Sequence, residues 1–364
     1  MTINPWDSRD IYMLREDLRL DPVPDYFWRT FFGADFYSED ETIKFADLPV
    51  PHRKLAPFVM PTSQGKPIFE RRGEKMNAFQ PAYIKVKDAV RVVESRNVLP
   101  SEIWREGGNG LPSLQSRFDK RVAEVTAYHL RAINMQKAWM AARAFIDGTL
   151  TVQYHADQGV DHPEVTIDYG RASGIDETLS GTFVDDPDFD LLGMLSDISN
   201  TMYNTAFGGR PVQWIVGAEV APFVVKNKGL IELLDTNIRG GEATSFQRGL
   251  FNVDQPMSFI GRVGGIGQGL EIWTYKDVVE APNGSMVDIL NPKDGLLVAP
   301  GAGGVMAHGA IYDIDAFEGG NISADIFPKM FKENDPGDMY VMHQSAPLPV
   351  NVFPNRVSKQ RLLA

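Results

Sequence analysis

The chain has 364 residues, 43% of them hydrophobic, enough for a sizeable core in one elaborate domain or two to three small ones. It contains no cysteine, which excludes disulfides, thiolate metal sites and cysteine nucleophiles, and its net charge of −12 does not draw nucleic-acid phosphate through bulk attraction. Residues 1–10 lack a basic-then-apolar leader and no run is long enough to span a bilayer, so a soluble chain, cytosolic when made, is expected.

Residues 1–48 begin with a polar leader broken by Pro5, Pro22 and Pro24 and then carry an aromatic block, Tyr26, Phe27, Trp28, Phe31, Phe32, Phe36 and Tyr37. Such a block either enters the chain's own core or forms an N-terminal arm that lays its rings on a neighbouring subunit. Residues 49–90 are rich in Pro, Lys and Arg and read as an extended excursion. Strand candidates at 54–60 and 66–72 flank the turn Pro61-Thr62-Ser63-Gln64-Gly65, and a third covers 78–87. An isolated hairpin is marginal in water, so this arm is expected to be held by another subunit.

Residues 113–147 hold no Pro and no Gly, and their large apolar side chains fall three or four apart: Leu114, Phe118, Val122, Val125, Tyr128, Ala132, Met135, Trp139, Ala142 and Ile146. That spacing predicts one long helix, entered at Pro112 and stopped at Gly148. Arg117, Lys120, Arg121, Glu124, Arg131, Lys137 and Arg143 are expected on its opposite, solvated face. The period of 3.6 favours a helix laid over a sheet above a coiled coil.

A hairpin is expected from strands at 149–154 and 165–169, and a helix at 191–204 with Asp188 and Asp190 at its positive end. Beyond Gly209 come a continuous apolar strand at 212–216, a short helix at 219–227, and strands at 259–260, 270–275, 287–290 and 295–298. Residues 302–310 are a Gly/Ala stretch. Residues 339–352 read as a strand interrupted by Pro347 and Pro349, and 355–364 as a short polar tail. Short strands and helices without strict alternation indicate an α+β unit.

A search for chemistry yields no catalytic, cofactor-binding or metal residue. Gly261-Arg-Val-Gly-Gly-Ile-Gly-Gln-Gly269 runs into a strand, whereas a dinucleotide fingerprint opens a helix, so it reads as a loop or tight turn. The six histidines, His52, His129, His155, His162, His308 and His343, include no pair spaced for one helix face. His155, Asp157, Asp161 and His162 read as a solvated loop before a metal site, and Asp185, Asp186, Asp188 and Asp190 as a linker without the Gly and distal Glu of a calcium loop. There is no Gly-x-Ser-x-Gly elbow. Basic residues are not interleaved with aromatics as a strand-binding groove requires.

Two segments, Phe79-Gln-Pro-Ala-Tyr-Ile-Lys-Val-Lys87 and Met342-His-Gln-Ser-Ala-Pro-Leu-Pro349, resemble the corresponding parts of the lambda-like major capsid proteins of tailed phages, the capsid protein E family. The order of parts matches along nearly the whole chain. The resemblance implies the Hong-Kong-ninety-seven-type shell fold, with an N-terminal arm (1–48), an extended β loop (49–90), a peripheral domain around the spine helix (91–187), an axial domain (188–316) and a return to the peripheral domain (317–364). It implies no enzyme and no cofactor. It implies homo-oligomers, pentamers and hexamers in an icosahedral shell enclosing double-stranded DNA without sequence-specific contacts. Further partners would be a scaffold, a portal and a decoration protein at three-fold sites, in the virion and, during assembly, the host cytoplasm. Relatives that crosslink a loop lysine direct attention to Lys66 and Lys75, although the lambda-like group does not generally use that chemistry. Within the fold the alternative is an encapsulin-like cargo compartment; outside it, an oligomeric nucleotide-binding enzyme.

Overall fold

The computed structural model describes residues 23–40, 42–46, 76–91, 114–153, 164–179, 183–231, 244–245, 256–264, 269–281, 284–320, 322–334 and 337–364. The strand candidates at 54–60 and 66–72, and the loop holding His155, Asp157, Asp161 and His162, lie outside these residues.

After a short helix, Tyr26–Phe31, come β1 (Ala34–Tyr37), β2 (Ile43–Ala46), β3 (Met76–Phe79) and β4 (Ile84–Val90). The long helix Leu114–Ile146 is followed by β5 (Thr149–Val152), β6 (Val165–Asp168) and β7 (Glu177–Thr178). Helix Leu191–Asn204, β8 (Gln213–Gly217), helix Ala221–Lys226, β9 (Thr244–Ser245), β10 (Met257–Val263) and β11 (Leu270–Tyr275) come next. Then follow β12 (Val278–Glu280), β13 (Met286–Asp288), β14 (Asp294–Val298), β15 (Gly304–His308) and helix Ile314–Glu318. The chain closes with β16 (Phe327–Lys332), β17 (Met339–Ser345), β18 (Pro347–Asn351) and β19 (Val357–Arg361).

The largest sheet has the order β7-β19-β14-β8-β11-β10-β9. Its central strands are buried on both faces, which is why β8 and β14 read as unbroken apolar runs. Side chains alternate across them. Trp214, Val216 and Leu297 enter a cluster with Leu195, Ile198 and Met202 of helix Leu191–Asn204. Ile215, Leu296 and Val298 enter another with Phe27, Ala141 and Phe145. Each fully buried side chain of this size contributes about 1.5–3 kcal/mol. Asp190 caps helix Leu191–Asn204, its Oδ1 accepting from the Gly193 amide at 2.8 Å.

The aromatic block divides. Phe27, Trp28 and Phe32 are buried in the chain's own core, Phe31 stacks on Phe145 with ring centroids 4.0 Å apart, and Phe36 and Tyr37 remain about half exposed. At the end of the excursion β3 pairs with β2, and β4 pairs antiparallel with β17, so this part is held by the same chain.

The long helix has 33 residues, close to 50 Å at 1.5 Å per residue, and Gly148 follows it at φ +67°, the left-handed stop that favours glycine. Its buried face differs from the expected stripe. Leu114, Tyr128 and Ala132 are exposed, whereas Thr126, His129, Leu130, Ile133 and Lys137 are buried. The physical reason is that His129 and Lys137, the latter expected on the solvated face, point inward and find the carboxylates of Asp88 and Asp325 there. Apolar spacing alone placed the seam about one residue off.

Two further expectations are corrected. Residues 339–352 are not one interrupted strand but two: β17 pairs with β16 and β4, and beyond Ala346 β18 pairs with β15 in another sheet. β18 is an edge strand, where proline's missing N–H costs no ladder bond. The polar tail is also a strand. β19 lies between β14 and β7, with Val357, Ser358 and Gln360 buried. Ser358 Oγ donates to the Ile175 carbonyl at 2.7 Å, and Gln360 Nε2 donates to Ser358 Oγ at 2.7 Å. Polar composition concealed a core strand because Ser358 and the Gln360 amide nitrogen find partners within the fold.

Removing residues 357–364 therefore takes an interior strand out of the main sheet. The truncated chain is expected in the insoluble fraction after expression. A soluble product with a cooperative thermal transition would show the strand to be dispensable.

Candidate functional site

Beneath the long helix the fold gathers three histidines that lie far apart in sequence. In the β17–β4 ladder Val341 pairs with Asp88 and His343 with Val86, so Asp88 and His343 are diagonal neighbours on one face. His129 of the helix lies between them. Its Nε2 is 2.8 Å from Asp88 Oδ2 and its Nδ1 is 3.0 Å from His343 Nδ1. A carboxylate only accepts, so His129 donates from Nε2, while of the two Nδ1 atoms one donates to the other. These bonds fasten the middle of the helix to two strands.

One step along the helix, Lys137 is fully buried and paired with Asp325. His308, at the end of β15, sits at the same point. Its Nδ1 is 3.5 Å from Asp325 Oδ1 and its Nε2 is 3.3 Å from Asp35 Oδ1 on β1, and the Tyr37 ring stacks on it at 5.0 Å. Burial pushes the His308 imidazole below its ordinary value, against the pull of Asp325 and Asp35, with the Lys137 charge adding to the push. The arrangement ties β1, β15 and the helix together.

A third network fixes the short helix Ile314–Glu318. Lys329 Nζ lies 2.8 Å from Asp313 Oδ1 and 2.7 Å from Asp315 Oδ2, Gln344 Nε2 donates to Asp313 Oδ2 at 2.8 Å, and Tyr83 donates its hydroxyl to Gln344 Oε1. Burial raises the Asp313 carboxyl, but hydrogen bonds from Lys329 and Gln344 outweigh it and hold it below the usual range. The Lys329 ammonium is correspondingly held high by its two carboxylates against the effect of burial.

None of these clusters has the layout of a reaction centre. The histidines are buried and engaged, and among the described residues no group of three or more His, Asp or Glu is arranged for a metal. The acidic run at 185–190 builds a turn: Asp186 Oδ1 accepts from the Asp188 amide at 3.0 Å, Asp188 pairs with Lys228 at 2.6 Å, and Asp190 is the helix cap. Of the glycine-rich stretch, Gly261–Val263 belongs to β10, and residues 265–268, like Lys66, Lys75, His52, His155 and His162, lie outside the described residues. Sequence spacing offered no signal for the buried histidine clusters, since their members come together only through strand pairing. What the surface does offer is exposed apolar groups on ordered elements: Phe36 and Tyr37 on β1, and Tyr312, Ile314 and Phe317 at the short helix.

A buried interior braced by ion pairs, with large apolar groups on its outside, is a building block that associates. The model of the family described as phage major capsid protein E matches residues 18–360. The chain belongs to this family. Its members are structural, shell-forming proteins and not enzymes. A prophage protein of Escherichia coli CFT073, assigned as a capsid protein, is similar at 18% identity over 98% of this chain and 99% of that one, with a TM-score of 0.67. At that identity the likeness bears on the fold alone, which is α+β and of the Hong-Kong-ninety-seven capsid type. A chain from the mature capsid of bacteriophage PhiM1 matches more weakly, at 10% identity and a TM-score of 0.43 over 95% and 88% of the two chains. No curated protein matches the sequence.

For this capsid protein the buried pairs make two predictions. Asp325→Ala leaves the Lys137 ammonium buried without its carboxylate, a loss on the order of 3–5 kcal/mol. Lys137→Met leaves the partly exposed Asp325 to water and is expected to cost less, and thermal melts of the two variants test this order. The second concerns pH. The folded chain keeps His308 neutral, while the unfolded chain takes up a proton near the ordinary value of 6.5. The contribution is present above that value and is lost as the pH falls toward the lower folded value. Between pH 7.5 and 5.5, His308→Asn should make the melting temperature less pH-dependent than in the parent; an equally steep decline would contradict this.

Proposed function

We propose that this capsid protein tiles the icosahedral head of a tailed phage, as pentamers and hexamers around packaged double-stranded DNA that it contacts without sequence specificity. The observation that carries this reading is the family match across nearly the whole chain, joined to a 33-residue helix that packs on strands of four sheets. The net charge of −12 suits DNA that is forced in by a motor and not attracted. The subunit would work in the virion, after assembly in the host cytoplasm with a scaffold and a portal and, at three-fold sites, a decoration protein.

In this reading residues 91–187 and 317–364 form the peripheral part, around the helix, and 188–316 the axial part, which points toward the five-fold and six-fold centres. The largest sheet runs across both borders through β7 and β19, so the two parts would share it. Residues 1–48 and 49–90 are the arm and loop that reach toward neighbours. A shell needs several distinct contacts per subunit, and extended limbs bury area on neighbours without a large globular interface. The loop would contribute backbone pairing to an adjacent subunit.

Expressed alone or with a scaffold, the chain is expected to give closed particles by electron microscopy. A compact monomer under every assembly condition would overturn the reading. Deleting residues 61–72 should leave a soluble subunit that cannot close shells, and normal particles from that deletion would refute the loop's role.

A further inference from the structure

The helix Ile314–Glu318 turns Ile314 and Phe317 outward at 65% and 68% exposure, with Tyr312 beside them at 60%. Three large apolar groups side by side in water are costly unless something covers them. Nor is the frame that presents them loose. Asp313 caps the helix and is gripped by Lys329 and Gln344, while Ala316 is buried against Ile311, Phe327 and Ala346. A preorganised apolar anchor of this kind loses little entropy when it docks.

The rim bears on the occupant. Asp315 and Glu318 are exposed there, Asp313 lies beneath them, and Lys329, paired with Asp313 and Asp315, is the single cation against these three carboxylates among the residues named. In a chain of net charge −12, segment 49–75 runs the other way, with six Lys or Arg against two Glu. The same segment carries Leu55, Phe58, Val59, Met60, Ile68 and Phe69. An apolar, basic strip complements an apolar, acidic face. A shell-forming protein supplies that strip on every neighbour.

We propose that the face of Tyr312, Ile314 and Phe317 receives segment 49–75 of a second copy of this chain. The inference rests on the reading that this loop acts between subunits, and adds where it lands.

The absence of native cysteine allows a direct test. Phe317→Cys is combined in the full chain with Leu55→Cys, Phe58→Cys or Phe69→Cys, and shells are oxidised and run on non-reducing denaturing gels. At least one pair should give disulfide-linked multimers from assembled shells, and none from free subunits. Multimers from Phe317→Cys alone would mean that the face meets its own copy. A crosslink in free monomers would mean that the loop folds back on its own chain. Either result, or no crosslink in well-formed shells, overturns the proposal. Independently, Phe317→Asp should leave the subunit's melting temperature unchanged and lower shell yield roughly tenfold; parental yield overturns the proposal as well. If the 61–72 deletion blocks closure while Phe317→Cys stays uncrosslinked, the loop acts between subunits elsewhere and only this inference falls. If that deletion closes normal shells, the reading beneath it falls too.

Discussion

The structure depends on how the long helix is clamped. A 33-residue helix that begins in solvent and ends fully inside the molecule cannot be held by an apolar stripe alone, because its middle presents His129 and Lys137 to the interior. A buried charge is tolerated only when paired, and here the partners come from β4, β17 and the turn before β16, whose Asp325 is linked through His308 of β15 to Asp35 of β1. The helix can therefore be seated only when the N-terminal strand and the returning C-terminal strands are in place. Chain segments some 200 residues apart become one mechanical unit, and this suits a subunit that must transmit load across a shell.

The main sheet repeats this logic in apolar form. β8 and β14 are buried on both faces, one against helix Leu191–Asn204 and the other against the end of the long helix. Next to them β19 brings the last residues of the chain into the centre of the fold. With no disulfide to assist, closure of this sheet by the terminal strand does the work of a staple. Association has to be built from what remains outside, including the apolar groups fixed on β1 and at the helix Ile314–Glu318.

The buried histidine clusters have the composition of a reactive site, but His129 engages Asp88 and His343 through its two ring nitrogens, and His308 lies between Asp35 and Asp325, beneath a helix. Their role is to give direction: a hydrogen-bonded histidine fixes orientation where an apolar contact would allow sliding. It is family membership that makes this a structural, shell-forming protein.

Much was readable from the residues alone. The helix lacks Pro and Gly and has a sustained period, so local preference and tertiary packing agree, and its stop is legible at Gly148. Helix Leu191–Asn204 was legible from its pattern and its Asp190 cap, and strands β8 and β14 because burial on both faces leaves an apolar record. The family resemblance rested on two short segments and the order of parts. Tertiary structure alone decided which face of the helix is inward, that Val357–Arg361 is a core strand, that residues 339–352 divide between two sheets, that His129 meets Asp88 and His343, and that His308 meets Asp35 and Asp325. In each case the deciding interaction is a satisfied polar group. A sequence records that such a group exists, but only the fold supplies the partner that lets it be buried.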